Sequence, residues 1–213
     1  LLHRDGRVLR VVLSLSRIVV QGKAGFMAVA TRLARPRELD LRTAETADDL
    51  VAANRRMAVM ASLMLSHGAP AAQVSRMLSA NADTVVRQSL QIAVAELGTP
   101  PGPFEFLLMG SLGRSEVSLL ADQDHAIIHA GPGGGSDYFL QLGQRVAEIL
   151  DAAGYPYCQG GIMASRPACC QSLADWQATF SRWIHTLEAQ DLLHAKIFFD
   201  FRAATSDSAL AQK

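Results

Sequence analysis

The sequence has no run of about 18 uncharged apolar residues, which is the length that a membrane-spanning helix needs. It also has no excess of either charge, because 20 Lys and Arg residues balance 20 Asp and Glu residues. A neutral chain gives no global reason to expect a nucleic-acid or membrane partner. With 49% hydrophobic and 19% charged residues, the composition is instead typical of a soluble globular protein.

Cysteine is scarce as well, and the three cysteines are Cys158, Cys169 and Cys170. Three thiols cannot all pair within the chain, and two adjacent cysteines form a poor bridge, so a reducing, cytoplasmic location is expected. No Cys or His spacing matches a zinc site. The chain starts at Leu1 with an Arg-rich segment unlike a signal peptide, and we interpret it as part of a longer protein.

Helical periodicity dominates the first half of the chain. Apolar residues recur at three- and four-residue steps over 46–66 and 71–97, which predicts two amphipathic helices. Thr46 is a suitable N-cap for the first helix, and Gly98 with the prolines that follow ends the second. Residues 1–45 are basic, and we interpret them as a helical linker or the tail of an upstream regulatory domain, ahead of a helical segment at 46–98.

From Phe104 onwards the periodicity changes, and an α/β core is predicted for residues 99–213. The short apolar stretches typical of buried strands are FEFLLM, DQDHAIIHA, GGIMAS and KIFFDFRA. Helices are predicted at 136–153 and 172–186, and the stretch GPGGGSD is predicted to be a loop. The predicted fold class is therefore α+β, with an N-terminal helical segment packed on a small mixed β-sheet core with flanking helices.

Asp122 and Asp124 stand one residue apart in a stretch that is typical of a buried strand. Residues i and i+2 of a strand point to the same face, so the two carboxylates would project side by side, with Gln123 opposite. Close carboxylates repel unless a cation lies between them, and Mg²⁺ commonly binds one or two carboxylates together with phosphate oxygens. The pair therefore predicts a metal site for a phosphate-bearing substrate, and the alternative is a turn or a solvated pair.

Gly110 and Ser111 stand where one predicted strand gives way to a short helix. Glycine lets the backbone approach a ligand closely, and helix N-terminal amides together with a serine hydroxyl suit a phosphate. Arg114 lies one turn further and can pair with a phosphate or with Glu116. These four residues are the candidate nucleotide-binding residues of this segment.

Asp200 is an isolated acid within the strongly β stretch IFFDFR, where an unpaired carboxylate is costly to bury. It is predicted to be a third acid beside the first two, so that three carboxylates hold two Mg²⁺ ions, activate an attacking hydroxyl and stabilise the departing pyrophosphate. The alternative is a salt bridge from Asp200 to Arg202 or Arg114. Ser165 and Arg166 lie in the segment CQGGIMASRP, which is either a plain turn or a loop that touches base or phosphate.

Taken together, these residues resemble a known signature. Gly110-Ser111, Arg114, Glu116 and Asp122-Gln123-Asp124 resemble that of the nucleotidyltransferase superfamily, which includes DNA polymerase β and kanamycin nucleotidyltransferase. The chain is most similar to the group around the bacterial protein-PII uridylyltransferase. Within that group it resembles the nucleotidyltransferase domain that often follows cyclic-nucleotide-binding and CBS domains in bacterial signalling proteins. The resemblance covers about residues 45–210 and includes the segment AKIFFDFRA.

The resemblance implies a Mg²⁺-dependent enzyme that transfers a nucleoside monophosphate from ATP or UTP to a hydroxyl of a protein or small molecule. The catalytic metal ligands would be Asp122, Asp124 and Asp200. Gly110 and Ser111 would hold the triphosphate. Leu112 and Ser115 depart from the group, which commonly has an acid and a glycine there. The group also continues into a helical C-terminal domain, so residues 99–213 are interpreted as a truncated nucleotidyltransferase core.

Two other functions stay open at this point. One is a nucleotide-sensing regulatory module without turnover, and the other is a structural interaction domain whose helices form a homodimer surface. The expected partners are thus an NTP and an unidentified protein or small-molecule acceptor, together with a second copy of the chain if the helices dimerise. Neither a nucleic acid nor a membrane is expected as a partner.

Overall fold

A computed structural model describes residues 11–20, 23–32, 41, 44–130, 136–186 and 198–205 of the chain. The first two described segments are strands β1, Val11–Val20, and β2, Lys23–Arg32, which pair antiparallel. Neither segment is the helical linker that we predicted for residues 1–45, and the alternative, the tail of an upstream regulatory domain, stays a prediction. Valine and isoleucine are frequent in VVLSLSRIVV, and β-branched residues favour strands, whereas we had weighed mainly the positive charge of this region.

Two long helices follow, as their apolar periodicity predicts. Helix α1 spans Ala47–Ser66, and Thr46 caps it by accepting a hydrogen bond from the Asp49 backbone N–H. Helix α2 spans Ala71–Leu97 and ends at Gly98, whose φ of 88° is a left-handed backbone conformation. Both helices pack against each other and against a later helix, α4, at Ser136–Ala153.

The central sheet has four strands in the order β5-β4-β3-β6. Strand β3, Phe104–Leu108, is antiparallel to β4, His125–His129, and to the two-residue strand β6, Arg202–Ala203. Strand β5, Cys170–Ser172, pairs parallel to β4. The fold is thus α+β, with N-terminal helices packed on a four-stranded mixed sheet and flanking helices, as predicted.

Side chains of the two central strands alternate between two apolar cores. Phe106, Leu108 and Ile127 join the core formed with α1, α2 and α4. Leu107 and Ile128 join a second core on the opposite face, which includes the tryptophans of helix α5, Leu173–Thr186. Because both faces are covered, all five residues of β4 are buried. The Gly-Ser turn follows the end of β3, and the two aspartates precede the start of β4.

Two of the predicted strands differ from the structure. GGIMAS, within 160–165, forms turns between Cys158 and a short 3-10 helix at Pro167–Cys169, because its backbone bonds locally. In KIFFDFRA only Arg202 and Ala203 form a strand; residues 198–201 do not, and residues 196 and 197 lie outside the described residues. The predicted loop at 131–135 also lies outside them. Among the described residues, no helix combines the length and the apolar character required to cross a membrane.

Candidate active site

The Gly-Ser turn directly follows strand β3. Gly110 begins the one-turn helix α3, Gly110–Gly113, and has a φ of 54°, a left-handed conformation that favours glycine. A Cβ atom at Gly110 would lie 2.5 Å from Oδ2 of Asp124. The missing side chain therefore lets a carboxylate from the neighbouring strand segment lie directly against the turn. The structure thus brings together two elements that the sequence had only suggested as partners.

Asp122 and Asp124 precede β4 rather than lying within it, so our placement of the pair on the strand is wrong in its bounds. The backbone is nevertheless held next to the sheet, because Met109 N–H donates to Asp124 O at 2.9 Å and Gln123 bridges to Tyr157. Gln123 is fully buried, whereas the two aspartates are only partly buried. The expected arrangement, with both carboxylates on one side and Gln123 opposite, is present in this lead-in to the strand.

A buried polar chain fixes the backbone that carries the aspartates. The side-chain amide of Gln123 donates to Ala147 O and Tyr155 O, at 3.1 and 2.9 Å. Nδ1 of His125 accepts from Ala164 N–H at 3.0 Å, so Nε2 carries the proton and donates to Gln123 Oε1 at 2.9 Å. Burial lowers the pKa of His125 to about 3, which keeps the imidazole neutral. His125 is therefore a positioning residue that faces away from the carboxylates.

Asp122 and Asp124 form a potential metal-binding group with Cys158, which was not among the predicted site residues. One oxygen of each carboxylate and the Cys158 sulfur all lie within 4.8 Å of one another. Burial is the main cause that raises the pKa of Asp124, and the charge of Asp122 raises it further. A hydrogen bond from the Cys158 thiol and the positive charge of Arg114 oppose this increase. Two crowded carboxylates, one of them poorly solvated, fit a divalent cation.

Asp200 lies across Arg114 from this group and does not join it. It occupies a bend just before β6, and its carboxylate accepts a hydrogen bond from Arg114 Nη1 at 2.8 Å. Arg114 also donates from Nε to Glu116 at 2.8 Å. All three side chains are substantially exposed, so these ion pairs add little stability. Of the two alternatives that the sequence allowed for Asp200, the structure thus contains the salt bridge to Arg114.

Gly113, which our sequence analysis did not single out, determines how close the Asp200 segment comes to the turn. A Cβ atom at Gly113 would lie 2.0 Å from the backbone oxygen of Asp200. The Arg202 guanidinium holds the same segment by donating to Leu112 O and pairing with Asp83 of α2. The only available signal in the sequence was the second glycine of GSLG, whose role depends on a contact with a residue far along the chain.

The loop that contains Ser165 and Arg166 reaches the site through Cys158. His125 N–H donates to Ile162 O at 3.0 Å, which ties the loop to the start of β4. Ser165 is partly buried and Arg166 exposed. Burial raises the pKa of Cys169 to about 11, and the positive charge of Arg166 opposes this increase. The structure therefore brings the beginning of the predicted loop to the aspartates, with Cys158 as the residue in contact.

Comparison with known proteins assigns the chain to a family. A family model described as "Putative nucleotidyltransferase DUF294" matches residues 55–190, well over half of the chain. The matched region extends from α1 through α5, and it includes the Gly-Ser turn, both aspartates and Cys158. A search of curated proteins found no match to this sequence.

Proposed function

Because the chain belongs to the DUF294 family of nucleotidyltransferases, we propose that it transfers a nucleoside monophosphate from ATP or UTP to a hydroxyl group. The acceptor is a protein or small molecule of a bacterial signalling pathway, and the reaction takes place in the cytoplasm. The proposal is carried by one observation, the Asp124 carboxylate lying against the Gly110 turn with Asp122 beside it. This arrangement offers a place for a triphosphate and for the cation that accompanies it.

In this proposal Asp122 and Asp124 hold Mg²⁺, and two ions are expected when the third acid takes part. The donor set fits the metal, since two partly buried carboxylate groups within 4.8 Å are typical oxygen ligands. When bound, the metal supplies the positive charge that neutralises the phosphate oxygens and the departing pyrophosphate. The residues of the chain bind and orient the nucleotide, which is the larger share of catalysis in phosphoryl transfer.

Gly110 and Ser111 are proposed to hold the triphosphate. Gly110 allows close approach of the backbone, and Ser111, partly buried on the first turn of α3, offers a hydroxyl and an amide. Arg114 is proposed to bind a phosphate oxygen, in exchange for its present partners Glu116 and Asp200. The exchange would cost little, because both ion pairs are solvent-exposed.

Asp200 is proposed to accept the proton of the attacking hydroxyl once Arg114 has turned to the nucleotide. This role requires the Arg114–Asp200 pair to open, since Asp200 stands outside the aspartate group when paired. Ser165 and Arg166 are proposed to contact the base or a phosphate from the loop that begins at Cys158.

The experiment is label transfer from α-³²P-labelled NTPs in the presence of Mg²⁺ and host extract. We expect label from ATP or UTP on an acceptor, and none with Asp122→Asn or Asp124→Asn. Asp137→Asn is the matched control, because this exposed aspartate lies at the start of α4 and not in the site. No transfer from any NTP by the folded protein would contradict the proposal, and transfer only from γ-labelled NTP would indicate a kinase instead.

A second function, a nucleotide-sensing module without turnover, is favoured by the ion pair between Arg114 and Asp200. If that pair persists with nucleotide bound, the third acid never reaches the reacting hydroxyl and the nucleotide is only held. Calorimetry would then detect Mg²⁺-dependent binding of ATP or UTP, while a pyrophosphate assay would detect no product. Release of pyrophosphate at a rate that Asp200→Asn abolishes would exclude this alternative.

A further inference from the structure

Cys158 is placed as a metal-ligating cysteine is. Its sulfur lies within 4.8 Å of a carboxylate oxygen from each aspartate of the group. Burial and the hydrogen bond to Asp124 raise the pKa of the Cys158 thiol to about 11, so the sulfur carries its proton while no cation is bound. A cation held by both carboxylates would therefore have this sulfur within reach as a further ligand.

This donor set does not match Mg²⁺ alone. Carboxylate oxygens suit Mg²⁺ and Mn²⁺, whereas a thiolate favours softer ions such as Zn²⁺. Cys169 and Cys170 are buried and are not members of the group, so the softer character comes from Cys158 alone.

We propose that Cys158 is a third ligand of the site at Asp122 and Asp124, and that the site therefore binds Zn²⁺-class ions through sulfur in competition with Mg²⁺. The inference rests on the proposed function for the role of the two aspartates. Binding of the softer ion displaces the thiol proton to solvent and leaves both carboxylates as ligands. Cys158 is thus a determinant of metal specificity, and Zn²⁺ occupies the position that Mg²⁺ needs.

Cobalt titration tests the proposal, because Co²⁺ replaces Zn²⁺ and shows a thiolate-to-metal absorption band in the near ultraviolet. The full chain should develop this band, Cys158→Ser should lack it, and the control Cys170→Ala should retain it. In competition titrations, Cys158→Ser should weaken Zn²⁺ binding at least about tenfold and leave Mg²⁺ binding nearly unchanged. A chain without the band, or a band that persists in Cys158→Ser, would overturn the proposal.

A second measurement needs no variant and so does not depend on the fold of one. Zn²⁺ should protect Cys158 from iodoacetamide, as followed by mass spectrometry of the peptide that contains it; equal labelling with and without saturating Zn²⁺ would contradict ligation. The outcome also separates this inference from the proposed function. Mg²⁺-dependent transfer without a cobalt–thiolate band removes the inference alone, whereas a band without transfer removes the transferase proposal alone.

Discussion

Replacing Gly110 with alanine separates the fold of the chain from the geometry of its site. Two independent effects are expected at this position. The φ of 54° costs an alanine about 1–2 kcal/mol relative to glycine. In a protein of this size, each kcal/mol lowers Tm by about 2–4 °C. The variant should therefore remain folded at room temperature, with a modestly lowered Tm.

The second effect is steric and acts on the site. The new Cβ atom would lie 2.5 Å from Oδ2 of Asp124. An ordinary contact needs about 3.5 Å, so the carboxylate must move by about 1 Å. Magnesium demands near-ideal geometry at about 2.0–2.1 Å, and a misplacement of about 1 Å can cost a reaction about 100-fold. We expect Gly110→Ala to lose metal binding and transfer by about that factor while the fold is retained.

Gly68→Ala is the matched control for the first effect. Gly68 follows α1 with a φ of 81°, and a Cβ atom there would meet nothing within 4 Å. The control should thus lose similar stability and keep its metal affinity. The assays are thermal unfolding, Mn²⁺ calorimetry and α-label transfer on both variants. Equal metal affinity in Gly110→Ala and Gly68→Ala would refute the reasoning, because the Gly110–Asp124 contact would then have no influence on the site.

Three further predictions concern neighbouring residues. Ser115 has a φ of 56°, so Ser115→Gly should raise the unfolding free energy by about 1 kcal/mol in urea titrations; an unchanged midpoint would contradict this. Burial holds the pKa of His125 at about 3 in the folded chain. Below pH 6.5 this histidine is therefore protonated in the unfolded chain but not in the folded one, and the free energy of unfolding falls by about 1.4 kcal/mol per pH unit. His125→Gln should lose less stability than wild type between pH 7 and pH 5, and an equal loss would refute the assignment. Burial and the charge of Asp122 raise the pKa of Asp124, so the ionised carboxylate destabilises the fold at pH values above that pKa. Asp124→Asn should therefore raise Tm at pH 7 without metal and abolish the Tm increase that Mg²⁺ causes. A lowered Tm of the metal-free variant would contradict this prediction.

The helices could be predicted because their signals are local. Thr46 caps α1 and Gly98 ends α2 at the predicted positions, since a cap and an apolar stripe depend on residues within a few turns. The alternation of Asp122, Gln123 and Asp124 was also predictable, because an extended backbone points neighbouring side chains in opposite directions whether or not it is formally a strand.

The remaining features depend on contacts between distant segments. Asp200 lies in a bend because β6 is only two residues long, and its partner Arg114 is brought near by Gly113 and the packing of α3. Cys158 reaches the aspartates because Tyr157 bridges to Gln123 and Ile162 bonds to the start of β4. Ser115 was recognised as a departure from a glycine, and the reason for that glycine, a left-handed φ, became visible in the structure.

The most direct test is a crystal structure of the chain grown with Mn²⁺ and a non-hydrolysable analogue of ATP or UTP. Anomalous scattering would locate the metal independently of any assumption about the site. The account predicts a manganese peak between the carboxylates of Asp122 and Asp124, with the triphosphate against Gly110 and Ser111. A nucleotide bound elsewhere, or a metal peak away from both aspartates, would contradict it.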